Sequence, residues 1–95
     1  MPVPKIITTA QSLDHILKWA HAHELPMPYA AHATRYGTLD MGFDSLADVT
    51  EWAMTMDVVI DVTPGETGHH HRASGELQGQ SLEVWTIVKF AAVAS

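Results

Sequence analysis

Leu13, Ile16, Leu17 and Ala20 recur at intervals of three and four, one apolar stripe on a helix with Trp19 on its flank. Thr8-x-x-Gln11 reads as a capping box and Ser12 as an alternative cap, so the helix should begin between Thr8 and Ser12 and stop before Pro26 and Pro28. The period then changes to two. Leu39, Met41 and Phe43 alternate with Thr38, Asp40 and Gly42, which predicts a β-hairpin of Tyr29–Tyr36 and Thr38–Phe43 turning at Tyr36-Gly37. Ser45 caps a second helix with Asp48 at its third position and Leu46, Val49, Trp52, Ala53 and Met56 as its stripe. Val58–Val62 reads as a strand, Thr63–Gly68 as a loop and His69–Leu77 as the returning strand. After the turn at Gln78-Gly79-Gln80, a final strand runs over Ser81–Ala92.

That last strand is apolar on both faces: Leu82, Val84, Val88 and Phe90 on one, Trp85, Ile87 and Ala91 on the other. Two helices can cover one face, so Trp85 and Ile87 are expected either to meet a second subunit or a partner or, where the strand bends, to lie at the sheet edge under the amino-terminal arm. The helix openings resemble each other without gaps: Ser12–Ala20 and Ser45–Ala53 share Ser, Leu, Trp and Ala, at an offset of 33 residues. An αββ unit used twice, or the shared grammar of capped amphipathic helices, accounts for this. Both lead to one α+β domain over residues 1–95: an antiparallel sheet of four or five strands, two helices on one face, order αββαβββ, and an extended arm over residues 1–7.

Composition narrows the class. A chain of 95 residues, 46% hydrophobic and without a long apolar run, suits one globular core and excludes a transmembrane helix. With no cysteine, disulfides and thiolate metal sites are excluded. The amino terminus lacks the pattern of a secretory signal, so a cytoplasmic location is expected. Five Lys and Arg against eleven Asp and Glu give a net charge of −6, unsuited to a phosphate backbone. Between Tyr36 and His71 there is no cation, while Asp40, Asp44, Asp48 and four further carboxylates fall there. Such a segment is either a docking surface for a basic partner or a solvated set of helix and turn positions.

Seven histidines would carry the formal charge from −6 to +1 if all were protonated. On a strand, His69 and His71 of His69-His70-His71-Arg72 share a face, and a turn near Gly65 and Glu66 would bring Asp61 opposite His70 or His71. The three define a candidate zinc site. His21 and His23 suit the end of a helix, while His15 and His32 read as structural. Gly65-Glu66-Thr67-Gly68 has GxxG spacing but is acidic and joins strands. The phosphate-loop, dinucleotide and nucleophile-elbow patterns are missing, so no enzyme activity is expected.

Leu25-Pro26-Met27-Pro28-Tyr29, followed by Gly37-x-Leu39-Asp40-Met41-x-Phe43-x-Ser45-Leu46-x-Asp48-Val49-x-x-Trp52-Ala53, resembles small uncharacterised proteins of high-GC actinobacteria and their phages. The resemblance implies a genomic setting and assigns no residue a role. The expected function is a small non-catalytic interaction or regulatory domain, homodimeric or bound to a host protein, docking through Trp85 and Ile87 or through Asp40, Asp44 and Asp48. Two other classes stay open: a metal- or pH-responsive protein using His69, His71 and Asp61, and an acidic decoy of a nucleic-acid-binding protein.

Overall fold

The computed structural model describes residues 9–90. The arm over residues 1–7, the cap at Thr8 and the strand positions Ala91 and Ala92 lie outside them. The element order is α1 (Thr9–Ala22), β1 (Ala30–Ala33), β2 (Leu39–Gly42), α2 (Leu46–Met56), β3 (Asp61–Pro64), β4 (Gly68–Leu77) and β5 (Gln80–Lys89). This is the αββαβββ order, and the fold is α+β.

Local chemistry sets the ends of the elements. Ser45 accepts a hydrogen bond from the Asp48 amide at 3.2 Å and opens α2. Ser12 instead lies inside α1. Both helices close alike: Glu24 and Asp57 take left-handed conformations, while Leu25 N–H donates to Ala20 O and Val58 N–H to Ala53 O. These are the long backbone bonds of a Schellman ending. Glu24 and Asp57 are 33 residues apart, as are Leu25 and Val58, so the correspondence of the two helices extends through their exits. α1 thus ends at Ala22, before the prolines. Val58–Ile60 is a connection rather than the start of a strand, because the cap turns the chain and leaves Val58 and Ile60 packed on the core.

The sheet order is β1-β2-β5-β4-β3. Every neighbouring pair is antiparallel except β2 and β5, which run parallel, so the sheet is mixed and the expectation of a wholly antiparallel one is corrected. The reason is topological. Each αββ unit places one strand at an edge and one inside, and the inner strands β2 and β4 run in opposite directions. β5 lies between them and must be parallel to one. Ile16 and Ala20 of α1, and Val49, Trp52, Ala53 and Met56 of α2, close one core with Leu39, Met41, Ala73, Leu77, Leu82 and Val84. Both helices therefore cover the same face. Leu46, expected in the stripe, is exposed. Trp52 is fully buried, donates from Nε1 to Pro26 O at 2.8 Å and tilts against Phe43. Its counterpart Trp19 is half-buried and stacks on His23.

Candidate functional site

Opposite the helices, the sheet presents the alternate positions of its strands. In register, Gly42 of β2, Trp85 of β5 and Arg72 of β4 form a row across the middle of this outer face, and Asp61 of β3 extends it. The indole lies over Gly42. A Cβ there would come within 2.7 Å of Trp85 Cζ2, so only glycine leaves room for the ring in this position. Three further groups fix it. Trp85 Nε1 donates to Asp40 Oδ1 at 2.5 Å. Tyr29, whose amide bonds Gly42 O and so extends the sheet, meets the indole edge-on at 6.1 Å between centroids, and His70 does so at 5.8 Å.

These contacts leave Trp85 half-buried, whereas Ile87 two positions on keeps 49% of its surface exposed. Arg72 Nε pairs with Glu83 Oε1 at 3.2 Å, diagonally across β4 and β5. The ion pair is partly solvated, so it contributes little to stability and serves mainly to orient Arg72 beside the indole. At the adjoining end of the face, β5 runs on past the last residue of β2. A concavity there is lined by Tyr29, Phe43, Asp44, Thr86, Ile87 and Lys89. Thr86 closes its floor by donating to Phe43 O at 2.7 Å.

The acidic candidates do not form one surface. Asp40 is drawn to Trp85 on the outer face, Asp44 is exposed before α2, and Asp48 occupies the first turn of α2, where a carboxylate opposes the positive end of the helix dipole. Helix chemistry accounts for Asp48, while Asp44 lines the concavity beside Tyr29 and Ile87. The histidine candidates separate as well. Asp61 pairs with Arg72, and Val62, not Asp61, stands opposite His71. Asp61 therefore lies on the outer face, while His69 and His71 share the helix-bearing face with buried Ala73. The expected ligand trio is not assembled, because the pairing is one residue out of step with the one it required. Among the described residues no group of three or more His, Asp or Glu is placed to hold a metal ion. His32 is exposed on β1, and His23 lies just beyond α1 with Nδ1 2.8 Å from Trp19 O.

Sequence reasoning found Trp85 and Ile87 but missed Tyr29, Gly42 and His70 as the setting of the indole. Gly42 carried a signal, a glycine inside an alternating strand, which marks close approach by another group. Tyr29 and His70 carried none, since their neighbours come from other strands. No helix among the described residues is long and apolar enough to cross a membrane. The chain matches no protein family, no curated protein and no solved structure.

Proposed function

We propose that the chain is a small non-catalytic interaction domain that associates with a second copy of itself through the outer face of the sheet, with Trp85 and Ile87 at the centre of the contact. The observation that carries this reading is Trp85, an aromatic side chain held in one orientation on the face opposite the helices. An anchor already fixed before binding loses little side-chain entropy on docking, and tryptophan, tyrosine and arginine are the side chains that most often dominate such contacts. Ile87 adds exposed apolar area beside it, and Arg72 and Glu83 supply a polar rim of both signs. A self-complementary contact suits this arrangement, because a two-fold axis near Trp85 sets each rim against its own copy.

Light scattering in the presence of EDTA tests the reading. The wild-type chain should have the mass of two chains, and Ile87→Glu, which puts a charge at an exposed position, should have the mass of one with unchanged circular dichroism. A wild-type chain that stays monomeric at high concentration, or an Ile87→Glu variant that stays dimeric, rules the outer face out as the assembly surface.

A further inference from the structure

The described residues do not cover the helix-bearing face of the sheet along its whole length. Leu82, Val84 and Thr86 of β5 are buried, but Val88 and Phe90 further along the same face are 39% and 50% exposed. Val62 on β3 is 51% exposed, so apolar surface continues beyond the reach of the helices. His69 and His71 stand within it. Their ring centroids are 6.4 Å apart, and the His69 ring meets Phe90 edge-on at 5.1 Å.

We propose that His69 and His71 are one half of a zinc site, completed by the same two histidines of a second copy of this chain. Two imidazoles bound to one tetrahedral zinc, with Zn–N bonds of about 2.0–2.1 Å, have ring centroids roughly 5 Å apart. The observed 6.4 Å is somewhat longer, a difference that side-chain torsion at exposed His69 would close. A closed zinc site takes four ligands, and the described residues supply two at this place. Asp61 is on the other face, and no third donor among the described residues joins the pair. The described residues of one chain leave the site incomplete, and an identical pair related by a two-fold axis supplies the missing half.

Charge allows the approach. The residues paired with the two histidines on the neighbouring strands are Val62, Pro64, Thr86 and Val88, none of them charged, so two chains of net charge −6 can meet here without opposing carboxylates in these positions. The ion adds positive charge between them, and the contact buries exposed Val62, Val88 and Phe90 around it. This surface lies across the sheet from Trp85, and the inference does not depend on the outer-face contact.

The experiment is light scattering combined with zinc titration calorimetry on the whole chain. Wild-type protein should bind one zinc per two chains, at least double its mass relative to the EDTA state, since contacts on both faces of a chain can link dimers further, and revert when EDTA is restored. His69→Ala/His71→Ala, and the more conservative His69→Gln/His71→Gln, should keep the wild-type circular dichroism and lose the zinc-dependent doubling. Ile87→Glu should retain it, which separates this site from the outer face. Three results overturn the proposal: no zinc binding by wild type, one zinc per chain without a change of mass, or doubling that persists in both histidine variants.

Discussion

Gly42 shows how much one missing side chain decides. Its backbone forms the floor on which the Trp85 indole rests, and the ring is held from the sides by Asp40, Tyr29 and His70. Gly42→Ala puts a methyl group into that contact. The ring must lift, losing its packing and its bond to Asp40. The expected cost is about 1–3 kcal/mol, the usual range for overfilling a packed site. Urea denaturation followed by circular dichroism measures it, and the same variant should show a Trp85 signal shifted toward that of a solvated indole. An unchanged midpoint would mean that the ring does not rest on Gly42. The same set of contacts explains why surplus apolar surface read from the sequence overstates what is free: Trp85 is half covered by its own neighbours, and Ile87 is the more exposed of the two.

Among the elements, the hairpin of β4 and β5 is the longest continuous pairing, from Gly68 with Lys89 to Leu77 with Gln80. It closes through the two-residue loop Gln78-Gly79, and both residues have positive φ, 53° and 76°. Loops of this kind match the right-handed twist of the strands, and asparagine followed by glycine is their preferred sequence. Gln78 is strained there because its Cβ crowds the backbone in the left-handed region. Gln78→Asn should therefore stabilise the chain by about 0.5–2 kcal/mol, read as an upward shift of the denaturation midpoint. No gain, or a loss, would mean that the glutamine side chain makes a compensating contact. Gln80, the first residue after the loop, does make one: its Nε2 donates to Gly37 O at 2.6 Å and ties this turn to the hairpin of β1 and β2.

Across the whole molecule, the two αββ units stand on either side of β5. Their edge strands β1 and β3 lie outermost, their inner strands β2 and β4 run antiparallel to each other, and both helices cover one face. β5 is the keystone of this arrangement, paired on both sides and buried at Leu82, Val84 and Thr86. Opening its amides requires separating the units, whereas every described residue of β3 is exposed at a sheet edge. Native-state hydrogen exchange should accordingly find the slowest amides in the central part of β5 and in the β4 positions facing it, with β3 exchanging many times faster. Protection in β3 equal to that in β5 would show that the edge is covered in solution.

Periodicity, caps and turn residues act over a few positions, and what depends on them could be read from the chain itself. The two helix stripes apart from Leu46, the Ser45 cap, the inward set Leu39, Met41 and Phe43, the long last hairpin and the αββαβββ order all belong here. So does the placing of Trp85 and Ile87 opposite Leu82 and Val84, because strand alternation fixes it. Pairing between distant segments obeys no such local signal. The parallel contact of β2 with β5 joins residues 43 apart, and it follows from where α2 delivers the chain. A shift of one residue in the pairing of β3 with β4 decides whether Asp61 faces His71 or Arg72, and the sequence permits both. How far the helices reach along the sheet is likewise a property of the packed core. Among the described residues, that reach and the strand pairing leave His69 and His71 without a carboxylate as third ligand, beside exposed apolar side chains, at one end of the sheet.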